Sequence, residues 1–211
     1  MKLVSKFAVL LVLSSVSSHP ARAQLFYVGV RGGAGIPTGS FGEASAASTD
    51  GLLRGAKPGL GYGLDGGISL GPLLGLYAST DRIDFDCLSE ACASSGKYKL
   101  KGVSGGVRIG IPMIALIPLP KPWVKAGVTV NQLTGTLGGT GMKITTEKRP
   151  GLELGAGVDL PVMMLFTITP QVRYVRQRIK YDPPASSSFS GGTRDANYYT
   201  FDIGFRFRSP I

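Results

Sequence analysis

Histidine is almost absent from this sequence. The only one among 211 residues, His19, lies close to the N-terminus. Hydrolytic and acyl-transfer enzymes commonly use a histidine as the base or as the group that orients it. Two carboxylates that act together must lie close to each other, whereas Glu153 and Asp159 are six residues apart, roughly 20 Å along a strand. We therefore expect no enzyme activity, no catalytic residues and no cofactor.

Long hydrophobic runs are also missing, and the N-terminus carries a short one. There, a basic start and the apolar residues 7–13 precede Ala21 and Ala23, which form an A-x-A cleavage pattern. This arrangement is typical of a secretory signal peptide, and the apolar run is too short to span a bilayer as a helix. We predict that 1–23 is a signal peptide and that 24–211 forms one domain.

Cysteine is scarce, and its spacing is simple. The only two cysteines, Cys87 and Cys92, lie in the stretch CLSEAC. A structural zinc site needs more cysteine or histidine ligands than this chain offers, so we predict no metal site. Because export leads to an oxidising compartment, the sequence predicts a local disulfide between Cys87 and Cys92.

The basic charge does not form one run. The net charge of +10 falls to +7 once the three bases of the leader are removed. The remaining bases are scattered along the chain, and an exported protein meets little nucleic acid. We therefore predict no nucleic-acid partner.

Glycine is abundant, and it recurs within an alternating pattern. In residues 59–70, GLGYGLDGGISL, small or polar residues alternate with apolar ones. Because successive side chains of a strand point to opposite faces, such a segment has one small, polar face and one apolar face. Segments with this alternation are found at about 25–34, 57–70, 73–83, 98–111, 122–132, 148–160, 165–181 and 198–208. The sequence therefore predicts an all-β protein with eight strands.

The connections between these strands alternate in length. The stretches GP and PVMM are short, whereas most other connections are long, polar and rich in glycine and serine. The exception is the apolar segment 111–122, where a short turn is expected. Tight turns at one rim and long loops at the other are typical of antiparallel up-and-down barrels of outer membranes.

Alternation alone fits a membrane barrel or a soluble one, since a lipocalin-like barrel places its apolar face inside. Here the polar face is mostly glycine with single charges, which suits a crowded interior. The apolar face carries charges only at its loop-side ends, as at Lys99, Lys101, Arg176 and Arg178. We therefore predict an eight-stranded antiparallel up-and-down transmembrane β-barrel, with a soluble periplasmic lipocalin-like binding barrel as an alternative.

Aromatic residues gather near the strand ends, as they do at the two lipid–water interfaces of membrane barrels. The predicted aromatic girdle comprises Phe26, Tyr62, Tyr98, Trp123, Phe166, Tyr174, Tyr199, Phe205 and Phe207.

The predicted interior contains charges of both signs in similar number. They are Arg31, Lys57, Asp65, Asp81, Arg108, Lys125, Glu153, Asp159, Arg173, Asp202 and Arg206. An eight-stranded barrel is just wide enough for side chains to fill, and an unpaired buried charge costs several kcal/mol. We interpret these charges as ion pairs that plug the lumen. The alternative is a narrow passive pore for ions or small solutes.

The chain after the leader resembles the small eight-stranded outer-membrane β-barrel family, which includes the OmpA transmembrane domain and OmpX. The last predicted strand, YYTFDIGFRF, resembles the aromatic C-terminal signal read by the barrel-assembly machinery, although Phe207 is not the final residue. The resemblance implies a location in the outer membrane of a Gram-negative bacterium and a structural or surface-interaction role. We expect a monomer whose partners are outer-membrane lipid, the assembly machinery and a surface ligand that binds the long loops.

Basic residues concentrate near the rim that carries the long loops. Among them are Arg54, Lys97, Lys99, Lys148, Arg178, Lys180 and Arg194. Lipopolysaccharide carries phosphates, so a basic rim favours anchoring in it. The alternative interpretation is that these charges only solvate the strand ends.

Overall fold

The structure is a computed structural model, and it describes only part of the chain. The described residues are 26–42, 55–71, 73–87, 97–111, 120–136, 143–181 and 192–209. Several predicted features lie outside them: the cleavage site at Ala21 and Ala23, the cysteine Cys92, and most of the apolar connection 111–122.

Nearly all of the described residues form β-strands. The strands are β1 (Phe26–Thr38), β2 (Ala56–Ser69), β3 (Leu74–Cys87), β4 (Lys97–Gly110), β5 (Lys121–Thr136), β6 (Lys143–Thr145), β7 (Arg149–Pro161), β8 (Phe166–Tyr181), β9 (Gly192–Asp195) and β10 (Asn197–Arg208). A short 3-10 helix, Gly39–Phe41, follows β1. No helix in the described part of the chain is long and apolar enough to cross a membrane, a finding that concerns helices alone.

Within the described residues, eight long strands close into an antiparallel up-and-down barrel. Each long strand pairs with the next one along the chain, and β1 also pairs with β10. The short strands β6 and β9 extend the ladder at the ends of β5 and β8. A closed sheet has no edge, so its backbone groups pair within the protein, as a bilayer requires. The predicted fold class is confirmed.

The strand bounds agree with the alternating pattern except at the loop-side ends. Strands β1, β3 and β5 each continue four residues further than the pattern indicated. Pro170 lies inside β8, where its missing N–H removes a ladder donor. The pairing with β7 is interrupted there, between Gly157↔Gln171 and Leu160↔Ile168, while the pairing with β10 continues through Ile203↔Pro170.

Through the middle of the barrel, the apolar side chains point outward. Leu60 is 79% exposed and Ile203 is 66% exposed, whereas Glu153 is only 1% exposed. Such an arrangement is stable only if the outer wall contacts lipid, because exposing so much apolar surface to water would be strongly unfavourable. The soluble lipocalin-like alternative is therefore excluded.

Near the long-loop rim the two faces exchange character. On β3, the outward residues change to Arg82 and Asp84, while the inward residues change to Ile83 and Phe85. The same exchange occurs on β4 and β8. The inward residues form the outer apolar cluster, which consists of Phe41, Ala56, Ile83, Phe85, Tyr98, Leu100, Leu133, Val175, Ile179, Ala196 and Tyr198. This end of the barrel is built like a soluble barrel, with its polar face in water.

The extension beyond the bilayer is substantial. On β3 it comprises six residues, 82–87, which correspond to a height of roughly 15 Å for strands tilted as in small barrels. Phe41, from the 3-10 helix, is fully buried at its top and packs edge-on against Phe85 with ring centroids 5.4 Å apart.

Candidate functional site

The candidate site is the interior of the membrane-spanning part of the barrel. Strand alternation brings most of the predicted lumen charges together there. They are Arg31, Asp65, Asp81, Arg108, Lys125, Glu153, Asp159, Arg173, Asp202 and Arg206. We call these residues, together with Arg208, the lumen charge network.

The predicted lumen position of Lys57 is wrong. Its side chain is exposed, whereas the neighbouring Ala56 is buried. The register between β2 and β3 shifts between Ala56 and Gly59, as at a β-bulge. A bulge adds a residue to one strand and so reverses the alternation beyond it, which turns Lys57 away from the interior.

Arg173 is the centre of the network. Its Nη1 and Nη2 atoms donate to the two carboxylate oxygens of Asp81, each at 3.0 Å. Its Nε donates to Asp202 Oδ2 at 2.8 Å. Asp81 also accepts a hydrogen bond from Arg31 Nη2 at 2.7 Å. The two-pronged contact uses the planar geometry of the guanidinium group, and it fixes both partners in position.

A second pair lies beside this centre. Lys125 Nζ is 2.5 Å from Glu153 Oε1, and both side chains are almost completely buried. Tyr77 donates its hydroxyl to the same oxygen at 3.3 Å, and Lys125 Nζ lies 4.5 Å from the centre of the Tyr77 ring. Arg173 Nη1 lies 3.6 Å from the other oxygen, Oε2, so two cations neutralise this buried carboxylate.

Asp159 anchors the network at the rim with the short turns. Arg108 and Arg208 both contact Asp159 Oδ2. The other oxygen, Oδ1, accepts hydrogen bonds from Arg206 Nη1 at 3.2 Å and from Trp123 Nε1 at 3.0 Å. A buried carboxylate is stable only when donors surround it in this way.

These two groups are joined into one network. Arg206 Nε donates to Asp65 Oδ2 at 2.8 Å, and Arg31 Nη1 lies 3.8 Å from Asp65 Oδ1. Arg206 therefore links Asp65 to Asp159, and Arg31 links Asp65 to Asp81. The lumen holds a continuous chain of ion pairs across the barrel rather than separate surface pairs.

A neutral polar layer separates the network from the outer apolar cluster. Asn131 Nδ2 donates to Gln177 Oε1 at 2.8 Å and to the Tyr198 hydroxyl at 3.3 Å. Gln177 Nε2 in turn donates to the backbone oxygen of Arg149 at 2.9 Å. All three side chains are 2% exposed. From the membrane interior to the long-loop rim, the barrel therefore passes from ion pairs to amides to apolar side chains.

The predicted aromatic girdle is partly wrong. Tyr98 and Trp123 are each only 2% exposed. Tyr98 belongs to the outer apolar cluster, and Trp123 bonds to Asp159 inside the lumen. Tyr98 is two residues from the inward Leu100, and Trp123 is two residues from the inward Lys125. Strand alternation therefore predicts that both side chains point inward, although both lie near strand ends.

The other girdle residues do not enter the interior. Phe26, Tyr62, Tyr199 and Phe205 have exposed side chains, and Phe166, Tyr174 and Phe207 are partly exposed, giving an outer wall with aromatic groups at both rims.

Two further residues inside the barrel were not predicted from the sequence. Arg208 follows the last predicted aromatic residue, yet it contacts Asp159. Phe41 lies in a segment that reads as a polar loop, yet it is completely buried in the outer apolar cluster. Arg208 lies two residues after the inward Arg206 on β10, and this alternation could have indicated it. No local pattern singles out Phe41.

The arrangement is suited to holding the barrel closed. Among the described residues, no group of three or more histidine, cysteine, aspartate or glutamate side chains could hold a metal ion. Every carboxylate of the lumen charge network lies against at least one cation.

Cys87 ends β3, and its predicted partner lies outside the described residues, so the disulfide stays a prediction.

A closed antiparallel barrel with an apolar outer wall and a charge-filled interior defines the class of small outer-membrane β-barrels. A family model described as "Outer membrane protein beta-barrel domain" matches residues 8–208, and the chain belongs to this family. The protein is therefore an outer-membrane β-barrel, as predicted. No curated protein matches the sequence.

Solved structures show the same fold at low sequence identity. Neisserial surface protein A is 16% identical with a TM-score of 0.62, and the match covers 86% of this chain and 96% of that one. OprG from Pseudomonas aeruginosa is 13% identical with a TM-score of 0.60, covering 90% and 97%. A major outer membrane protein from Thermus thermophilus is 15% identical with a TM-score of 0.52, covering 89% and 100%.

Proposed function

We propose that this protein is a sealed, non-enzymatic barrel with a structural or surface-interaction role in the outer membrane. The observation that carries the proposal is the filled interior. The lumen charge network, the neutral polar layer and the outer apolar cluster follow one another along the barrel, and their side chains are largely buried. The long loops then offer the surface through which the protein meets partners.

The filled interior argues against the passive pore. A conducting lumen needs a continuous column of water, and water would compete for the hydrogen bonds of the charged groups. Here Arg173 uses all three guanidinium nitrogens on carboxylates. An ion would also have to pass the outer apolar cluster, where Phe41, Phe85 and Leu100 are at most 1% exposed. Apolar constrictions of this kind exclude water and ions.

The remaining expectations are part of the same proposal. The leader 1–23 directs export, Cys87 and Cys92 form a disulfide, and the chain inserts as a monomer. The barrel-assembly machinery reads the last strand, β10, in which Tyr199, Phe201 and Phe205 face outward. The partners are outer-membrane lipid, lipopolysaccharide and a ligand that binds the long loops.

Conductance in planar bilayers tests the sealed lumen. The refolded protein is first shown to change its mobility in SDS gels only after boiling, so that absence of current cannot reflect absence of a folded barrel. We expect no stepwise current from this preparation. Reproducible single-channel steps from the heat-modifiable form would contradict the proposal and favour the pore.

A further inference from the structure

The rim of the barrel with the short turns carries a cluster of cations around one carboxylate. Arg108 and Arg208 both contact Asp159 Oδ2, and Arg206 Nη1 donates to Asp159 Oδ1 at 3.2 Å. Lys121 is exposed at the start of β5 and lies directly opposite Asp159 in the ladder with β7. We call Arg108, Lys121, Asp159, Arg206 and Arg208 the short-turn mouth.

The charges of the short-turn mouth do not balance. Arg206 Nε also donates to Asp65 Oδ2 at 2.8 Å, so Arg206 serves to neutralise a second carboxylate. When Arg206 is assigned to Asp65, Asp159 still faces the three other cations of the short-turn mouth. Like charges held side by side in a poorly solvated site repel one another. The short-turn mouth therefore has a surplus of positive charge.

The rest of the described lumen charges are balanced. Four carboxylates there are matched by four cations, namely Asp65, Asp81, Glu153 and Asp202 with Arg31, Lys125, Arg173 and Arg206. The turns at the short-turn rim do not supply the missing negative charge, because 70–74, 111–120 and 162–165 contain no charged residue. Among the described inward-facing charges, the surplus is therefore confined to the short-turn mouth.

Two arginines of the short-turn mouth are accessible from outside the barrel. The side chains of Arg108 and Arg208 are 13% and 24% exposed, whereas that of Arg206 is 3% exposed. Arg108 Cζ lies 4.3 Å from the centre of the Trp123 ring and 5.7 Å from that of Tyr27, and such stacking holds the guanidinium group in place. A solute on this side of the barrel therefore reaches Arg108 and Arg208 without entering the filled part of the lumen.

We propose that the short-turn mouth binds a small doubly charged oxyanion, of the phosphate or sulfate type, through Arg108 and Arg208. Both guanidinium groups converge on Asp159 Oδ2, and each carries more N–H donors than this one oxygen accepts. Planar guanidinium donors match the oxygens of such anions in pairs. The anion supplies the negative charge that the site lacks. The inference goes beyond the proposed function and holds whether or not the lumen is sealed.

The test titrates the folded protein with sodium phosphate or sodium sulfate at constant ionic strength, in micelles of a neutral sugar detergent without phospholipid. Isothermal titration calorimetry measures the affinity. The fluorescence of Trp123 locates the binding, because this only tryptophan lies against Arg108. Each preparation is first shown to be heat-modifiable in SDS gels, which establishes that the barrel has folded.

The variants change one cation at a time. R208Q removes a cation of the short-turn mouth, R208K keeps the charge without the planar donors, and R108Q is a second variant at the same site. K99Q is the matched control, since it removes an exposed cation on β4 near the opposite rim. In R208Q, Asp159 keeps its contacts with Arg108 and Arg206, so this barrel should fold.

We expect saturable binding of phosphate and sulfate with a Kd of about 1 mM, as for two or three charge-assisted hydrogen bonds. The emission of Trp123 should shift over the same concentration range, and chloride should give no saturable response. R208Q and R108Q should each weaken binding about tenfold, as for the loss of one such interaction, and R208K should weaken it less. K99Q should bind like the wild type, because its distant exposed charge is screened.

Absence of saturable binding would overturn the inference, as would equal losses in R208Q and K99Q. Loss of the folded band in R208Q would contradict the surplus of positive charge on which the inference depends. If equimolar phosphatidylglycerol in the micelles abolishes phosphate binding, the occupant is a lipid headgroup and the soluble oxyanion is wrong. None of these results concerns conductance, so failure here is distinguishable from failure of the sealed-lumen proposal.

Discussion

Replacing Lys125 by methionine should destabilise the barrel strongly. Lys125 Nζ is 2.5 Å from Glu153 Oε1, and the side chains are 4% and 1% exposed. Methionine preserves most of the volume but leaves the Glu153 carboxylate without its nearest cation. Breaking a buried pair from one side costs about 3–5 kcal/mol, because the remaining charge is left in a medium that solvates it poorly.

The double variant K125M/E153Q separates charge from packing. It removes both charges, while Arg173 keeps its contacts with Asp81 and Asp202. Exchanging a buried pair for neutral groups of similar size is often close to neutral, so we expect a loss below about 2 kcal/mol. The double variant should therefore be more stable than K125M alone.

The assay is urea unfolding in phospholipid vesicles, followed by the fluorescence of Trp123. An exposed pair serves as a control, since Lys97 Nζ and Asp86 Oδ1 are 3.9 Å apart with side chains that are 56% and 60% exposed. K97M should cost less than about 1 kcal/mol. If the free energy of unfolding of K125M also lies within about 0.5 kcal/mol of the wild-type value, then water screens the lumen charges and the interior is not sealed.

Two further substitutions test how β1 and β10 close the barrel and how Phe41 packs in the outer apolar cluster. A Cβ at Gly33 would lie 2.0 Å from the Phe201 carbonyl oxygen, whereas one at the lipid-facing Gly32 would meet nothing closer than 3.9 Å. Gly33→Val should therefore abolish the heat-modifiable band in SDS gels and Gly32→Val should retain it; equal behaviour would refute the β1–β10 packing. Phe41→Ala should lower the free energy of unfolding in urea by about 3–5 kcal/mol, since it leaves a cavity. Phe201→Ala, at an outward position that is 54% exposed, should lower it by clearly less; equal losses would place Phe41 outside the core.

Strand alternation predicted the architecture because it is a local property. In 59–64, glycine alternates with the lipid-facing residues Leu60, Tyr62 and Leu64, and the structure keeps this parity. The charges on the glycine-rich parity had to point inward once the apolar parity was assigned to lipid. Ion-pair partners could not be assigned, since the pairing of Arg31 with Asp81 joins β1 to β3 and depends on the barrel's shape.

The errors arose where position along the barrel axis matters more than parity. Tyr98 and Trp123 lie near strand ends, and that position alone suggested the girdle, although their parity is inward. The outer apolar cluster was missed because the pattern does not show where a strand leaves the bilayer. Lys57 was misplaced because a bulge at Ala56–Gly59 reverses the alternation, and bulges leave little trace in composition.

The position and surroundings of Trp123 offer the most direct test of the sealed lumen, because it is the only tryptophan in the chain. Fluorescence quenching in vesicles should be weak with aqueous acrylamide and weak with brominated lipids, since the indole is 2% exposed and bonds to Asp159. W123F/V124W provides the control, because position 124 faces lipid and its tryptophan should be quenched by brominated lipids. Strong acrylamide quenching of Trp123 in the folded barrel would show a water-filled lumen and contradict the account.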